Sequence, residues 1–259
     1  MSFWIICLLC IVQGLTEFLP ISSSGHLTLI EQFFGINENI LLINLFLHLA
    51  TLVAVVVVYR KTILKLIKNP FQPLTYKLVI STFLTCVIAF VFEWLGLEKF
   101  AFKIYSFGFL MTAILLFFMH KSKNSTISIK QGGISYRDSV IIGMVQGFAV
   151  IPGLSRSGST IVSLSLCGNN EEESAEYSFL LSIPVIVGGF VIELIKMFKN
   201  PQISEVFTIE TIIFAFLLTL IVAIVSLKLT LKLLKKNKFI YFSIYTFVLF
   251  VVTFVINYL

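Results

Sequence analysis

The sequence predicts an all-α integral membrane protein, with six transmembrane helices plus two re-entrant helical hairpins in an inverted-topology repeat. Three observations predict it. The 259 residues are 58% hydrophobic and only 12% charged, whereas a soluble domain carries roughly a quarter charged residues. Apolar segments of spanning length recur along the chain. Two polar stretches rich in glycine and serine interrupt them: Gln13–Leu27 (QGLTEFLPISSSGHL) and Gln146–Thr160 (QGFAVIPGLSRSGST).

The first apolar segment is Phe3–Leu19. It has no basic leader region and no small-residue cleavage site, so it reads as part of the mature fold. Pro20 and the serines break it, and a short helical piece follows over roughly His26–Phe34. Six uninterrupted segments then approach the roughly 20 residues a spanning helix needs: Ile40–Tyr59, Tyr76–Gly96, Ala101–Met119, Ala175–Lys196, Thr208–Leu227 and Phe239–Tyr258. Between the third and fourth lies a second broken segment, Ser139–Ile151, followed by a short piece over Ser159–Leu166. Each broken half is too short to cross alone, which predicts two re-entrant hairpins. Helices are the expected form because a helix satisfies its own backbone polar groups in lipid.

A shift of 133 positions places Gln13-Gly14 on Gln146-Gly147, and Ser22, Ser24 and Gly25 on Ser155, Ser157 and Gly158. Pro20 and Pro152 miss by one, and Phe46-Leu47 falls on Phe179-Leu180. The chain thus reads as one membrane domain of two repeats, about 1–130 and 131–259. Each is a hairpin plus three spans, and an odd number of crossings inverts the second. Fourteen cations fall on one side of this topology: Arg60, Lys61, Lys65, Lys68, Lys77, Lys121, Lys123, Lys130, Arg137, Lys228, Lys232, Lys235, Lys236 and Lys238. Only Lys99, Lys103, Lys196 and Lys199 fall on the other. The positive-inside rule makes the first side cytoplasmic and puts both termini outside. The net charge of +6 is therefore topological and does not signal nucleic acid. The hairpins then enter from opposite sides, and their tips can meet near the midplane.

Other polar residues have plainer readings. Cys7 and Cys10 have CxxC spacing in an apolar helix without a second ligand pair, and read as small hydrophobes. Glu171, Glu172, Glu173 and Glu176 read as a solvated start of the fourth span, where acids are favoured. Asp138 reads as a helix cap or a loop charge. His48 reads as a neighbour of the site and His120 as an interfacial residue.

The two polar stretches carry the chemistry. Non-helical backbone at membrane depth survives only when buried in protein or lining a wet cavity, and an intramembrane ionisable residue marks a functional site by default. The second stretch suits an anion. Arg156 offers a planar fork of donors matched to phosphate oxygens. Ser155, Ser157, Ser159 and Thr160 add hydroxyls, Gly153 and Gly158 allow close backbone approach, and the helix that follows aims its N-terminus at the same place. The plainer alternative for Arg156 is a structural bridge to Glu17. The first stretch suits a reaction. Gln13 and Glu17 are four apart and share a helix face. Glu17 can hold a divalent cation or a proton. Ser22, Ser23 and Ser24 are nucleophiles awaiting a base, and His26 is the base or acid nearest in sequence.

These stretches resemble the undecaprenyl-diphosphate phosphatases associated with bacitracin resistance. QGLTEFLPISSSGHL is similar to that family's [E/Q]xxxE–SS–GH motif, and PGLSRSGST to its PGxSRSxxT motif; YSFLLSIP, Tyr177–Pro184, resembles it too. The resemblance spans essentially the whole chain. It implies an enzyme that removes the terminal phosphate of undecaprenyl diphosphate, recycling the lipid carrier for cell-wall synthesis. It also implies a divalent cation, Mg²⁺ or Ca²⁺. The implied location is the bacterial plasma (inner) membrane, with the site facing the periplasm or outside. By motif position it makes Glu17, Ser23, His26 and Arg156 catalytic, with Glu17 also the metal ligand. Gln13, Ser22, Ser24, Gly153, Ser155, Ser157 and Thr160 become substrate-binding. Gln13 stands where the family often has a first acid, which reduces the charge available to a metal. Ser23 and an activated water both remain open as nucleophile. The expected partners are undecaprenyl diphosphate and membrane lipid, not nucleic acid; a homo-oligomer stays open. The rival reading is a flippase for undecaprenyl phosphate, since inverted repeats with broken helices are also transporter architecture.

Overall fold

Apolar segments that satisfy their own backbone pack here as a helical bundle. The computed structural model describes residues 2–36, 41–97, 105–123, 133–199, 207–236 and 238–258, and these contain no strand. Lys99, Lys103 and Lys130, and the first residues of the third expected span, lie outside them. The helices are α1 Phe3–Thr16, α2 Ser23–Phe33, α3 Leu41–Val58, α4 Arg60–Lys68, α5 Pro73–Trp94, α6 Tyr105–Lys123, α7 Tyr136–Phe148, α8 Arg156–Leu166, α9 Glu171–Lys199, α10 Ile209–Lys235 and α11 Phe239–Tyr258. Five of them (α5, α6, α9, α10 and α11) are long and apolar enough to cross a membrane, and the bent pair α3–α4 passes the same test when taken together.

The hairpins form as expected. Helices α1, α2, α7 and α8 have 14, 11, 13 and 11 residues, too few at about 1.5 Å per residue to cross a hydrocarbon core of about 30 Å. Their packing is exchanged between the repeats. Helix α10 covers α1, while its counterpart α5 covers α7; α3 packs on its counterpart α9, and α6 on its counterpart α11. Glycines permit the hairpin contacts. A Cβ on Gly14 would sit 2.9 Å from Val222, and one on Gly147 would sit 2.6 Å from Ile88.

The ends of the bundle differ in charge. Thr62 donates to Glu176 at 2.7 Å, Lys235 pairs with Glu172, and Lys77 lies 5.4 Å from the Tyr136 ring centroid. These contacts gather α4 and the starts of α5, α7 and α9 at the basic end of α10. Hairpin two opens at that end. Hairpin one opens at the other, where Phe3 meets Phe214 at 5.0 Å and Gln32 donates to Asn257 at 2.8 Å. The acidic cluster occupies the first turn of α9, as its composition predicts. Asp138 forms a capping box with Ser135 at the start of α7. Cys10 is buried among Ile6, Leu9, Leu27, Ile43, Leu47 and Ala215, the hydrophobe its setting implies.

Helix α4 is a feature the segment pattern does not announce. It bends from α3 by 78°. Its nine residues include Arg60, Lys61, Lys65 and Lys68, and none is buried. Four cations end the apolar run, yet the helical period continues through them.

Candidate active site

The two tips are built alike. Each turn ends on a serine that caps the helix after it: Ser22 Oγ accepts from the Gly25 N–H at 3.2 Å, and Ser155 Oγ accepts from the Gly158 N–H at 3.0 Å. Such caps satisfy the free N–H groups of a first turn. The helices therefore start earlier than expected from the apolar pattern. Ser23 opens α2 rather than His26, and Arg156 opens α8 rather than Ser159. The polar residues thus ride on first turns, where unpaired N–H groups and the helix dipole favour negative charge. Ser22 adopts φ 68°, the one positive φ among the described non-glycine residues. A bent backbone of this kind, held by its surroundings, is characteristic of functional sites.

The tips touch. Ser157 donates to the Leu19 carbonyl at 3.2 Å, and a Cβ on Gly25 would sit 2.9 Å from the Gly153 Cα. Gly153 has φ +85°, and a Cβ there would sit 2.0 Å from the Tyr105 carbonyl oxygen. Thr112 Oγ1 bridges this turn, donating to the Gly153 carbonyl at 3.0 Å and accepting from the Ser155 N–H at 2.9 Å. The turn is thus locked onto α6. Gly153→Ala is expected to destabilise the fold by at least about 3 kcal/mol, because a left-handed backbone strain adds to a main-chain overlap. Thermal unfolding in detergent checks this; a melting temperature equal to the parent's contradicts it.

Between the tips lies a charged cluster. Glu17 is 6% exposed. It accepts from Gln13 Nε2 at 3.0 Å and Ser23 Oγ at 2.6 Å on one carboxylate oxygen, and from Arg156 Nη2 on the other. His48 lies within electrostatic reach of the same carboxylate, consistent with its reading as a neighbour of the site. The Arg156–Glu17 bridge across the repeats therefore exists. Its two members differ in access: the Arg156 side chain is 22% exposed and that of Glu17 is 3%. An arriving anion meets the guanidinium first, with the carboxylate beneath it.

His26 is placed differently from the sequence expectation. Its Nδ1 lies 2.6 Å from the Ser22 carbonyl oxygen and its Nε2 lies 2.7 Å from the Tyr245 hydroxyl. No hydrogen bond joins it to Ser23. The group paired with Ser23 is Glu17, six residues back across the turn. His26 Nδ1 turns back onto the Ser22 carbonyl four residues earlier, while the turn returns Ser23 over α1 to Glu17.

The remaining predicted residues also have places. Ser24 is exposed. The Thr160 hydroxyl lies 2.5 Å from that of Ser178 and donates to the Arg156 carbonyl at 2.9 Å. Ser155 and Ser22 serve as caps. Within this cluster the polar side chains open to an incoming group are Ser23, Ser24 and Arg156.

The chain that carries these tips matches a family of known sequences: the model for "Bacitracin resistance protein BacA" fits residues 6–252. The chain belongs to the BacA family. Curated relatives agree. A protein of Carboxydothermus hydrogenoformans named Undecaprenyl-diphosphatase is 34% identical over 93% of this chain and 92% of its own. Its namesake in Halothermothrix orenii is 35% identical, covering 96% of this chain and 95% of that one. The one in Thermosipho africanus is 39% identical, covering 95% and 97%.

The donors beside Glu17 are of the kind a hard divalent cation takes. Gln13 Oε1 is buried without a hydrogen-bond partner, beside the Glu17 carboxylate that Gln13 Nε2 bonds. One carboxylate and one neutral carbonyl are hard oxygen donors of the kind Mg²⁺ and Ca²⁺ take, with phosphate and water completing the shell. Among the described residues no group of three or more His, Cys, Asp or Glu gathers as a metal site, so protein ligands alone would not saturate the ion.

Tyr245 and Thr112 escaped the sequence reading, and Ser178 entered it only within the stretch Tyr177–Pro184, with no role. They lie on spans, outside both motifs, and a lone hydroxyl in an apolar helix gives no local sign of what it will face.

Proposed function

We propose that this protein hydrolyses undecaprenyl diphosphate to undecaprenyl phosphate and inorganic phosphate, recycling the lipid carrier for cell-wall synthesis. The observation that carries the reading is the chain of contacts Ser23–Glu17–Arg156 where the first turns of α2 and α8 converge. Nucleophile, base and anion-binding cation are held in one place.

The Arg156 guanidinium and the N–H groups of both first turns bind the diphosphate, an arrangement suited to phosphoryl transfer, where positioning and charge stabilisation dominate. The Ser23 hydroxyl is within hydrogen-bond reach of Glu17, as a nucleophile and base must be. Ser23 Oγ attacks the terminal phosphorus, its proton passes to Glu17, and undecaprenyl phosphate leaves. Water then cleaves the serine phosphate: His26 takes a proton from the water and passes it to the departing inorganic phosphate, and Glu17 returns its proton to Ser23 Oγ, restoring the hydroxyl. A cation held by Glu17 and Gln13 Oε1 would neutralise phosphate charge. The protein sits in the bacterial plasma membrane with its basic end in the cytoplasm. Hairpin one, opening at the other end, then exposes the site to the outside. A flippase would need the anion site but not a hydroxyl bonded to a carboxylate, and the relatives are named for hydrolysis.

The direct test is phosphate release from undecaprenyl diphosphate by the purified protein in detergent. Release is expected with Mg²⁺ or Ca²⁺ and is expected to stop on chelation. A folded protein that binds lipid phosphate yet releases none with any divalent ion would overturn the reading.

A further inference from the structure

Among the groups of the site, the His26 nitrogen that faces away from the main chain is held by a residue from the far end of the sequence. His26 Nδ1 lies 2.6 Å from the Ser22 carbonyl oxygen. A carbonyl only accepts, so Nδ1 carries a proton. In the neutral ring Nε2 then bears the lone pair and is the basic nitrogen. Its partner is the Tyr245 hydroxyl at 2.7 Å, which donates to it. The two rings are near parallel, 14° apart with centroids at 5.7 Å. Phe109 meets the imidazole edge-on at 5.6 Å. The ring is thus fixed by a carbonyl, a phenol and an aromatic face.

Tyr245 is itself well anchored. Two residues earlier on α11, Ser243 donates to the Ala113 carbonyl of α6 at 2.8 Å, and α11 packs along α6. Tyr245 is 43% exposed while His26 is 8% exposed. The phenol therefore stands as an outer cover on the imidazole, supplied by the second repeat to a histidine of the first.

We infer that Tyr245 is a positioning residue for the reaction: by donating to His26 Nε2 it holds the imidazole in its Nδ1–H form, with the basic nitrogen aimed out of the protein. This deepens the phosphatase reading and rests on it. A purely structural tyrosine would contribute its ring; a positioning one contributes its hydroxyl. Tyr245→Phe separates the two, since it keeps the ring packing and removes only the donor.

The experiment compares parent and Y245F in detergent by steady-state phosphate release, and by ¹⁵N NMR of histidine-labelled protein. His48 and His120 are the only other histidines, so His48→Asn and His120→Asn assign the His26 signal. Misplacement of a reacting group costs up to about 100-fold, so kcat is expected to fall by about 10- to 100-fold. KM is expected to stay within about twofold, the pattern of an interaction that matters in the transition state. The His26 Nε2 resonance should move from its hydrogen-bonded position towards that of a free imidazole lone pair. A parent-like kcat in Y245F would overturn the proposal, as would an unshifted Nε2 signal. Should Y245F unfold, Tyr245→Leu gives the size of the packing contribution, and the parent spectrum decides alone: an Nε2–H tautomer for His26 would refute the assignment. Failure of the phosphatase reading is distinct, because it shows as an inactive parent while the NMR result stands.

Discussion

Arg156→Ala is expected to lower kcat/KM for undecaprenyl diphosphate by about 10²–10³, the loss typical of one preorganised donor to developing charge, or roughly 2.7–4 kcal/mol. Arg156 is the cation at the tip junction, and it is partly open to solvent while its Glu17 partner is sealed. Phosphate oxygens reach it before they reach the Glu17 carboxylate. Lys should rescue only in part, because an ammonium keeps the charge but not the planar fork. The plainer role, a bridge between repeats, predicts a different pattern. In that case R156A would melt at a lower temperature but turn over normally per folded molecule. Phosphate release normalised to folded protein, measured beside a thermal scan, separates the two. Normal turnover in the folded fraction would remove Arg156 from catalysis.

Glu17→Gln should be the most damaging change, with turnover down by about 10²–10⁴, the range over which a general base contributes. The amide is isosteric and its carbonyl can still accept from Ser23, while its NH2 replaces the oxygen that Arg156 meets. What it lacks is a place for the Ser23 proton and a charge for a cation. The combined variant E17Q/R156A should lose much less than the product of the single losses, because residues of one cluster act as a unit. Single-turnover assays of all three variants test this. Strictly multiplicative losses would mean the two side chains act apart, against the contact between them. The choice of base is also tested, since the structure pairs Ser23 with Glu17 and not with His26.

Much of the architecture is legible in the chain because each signal is local. Spanning length depends on consecutive apolar residues, and α11 runs over Phe239–Tyr258 as its composition predicts. The hairpins are legible because Pro20, Pro152 and the polar residues around them interrupt apolar runs and leave pieces too short to cross alone. Their exact helix starts were not, since Ser22 and Ser155 act as caps only once their side chains turn back onto the N–H groups of Gly25 and Gly158. Helix α4 was hidden because four cations look like a loop to a hydropathy reading, while the backbone period is indifferent to charge.

The sequence by itself determined the membrane setting, the two related repeats and the residue types gathered at their tips, since these follow from composition and spacing. It also placed Glu17 and Arg156 at the two breaks, 139 residues apart. Only the tertiary structure decided who meets whom. It brought Arg156 onto Glu17, gave Ser23 to Glu17 rather than to His26, and set Tyr245, 219 residues away, on His26. Pairings across such distances depend on how α6, α10 and α11 pack against the hairpins, and no local pattern encodes that packing.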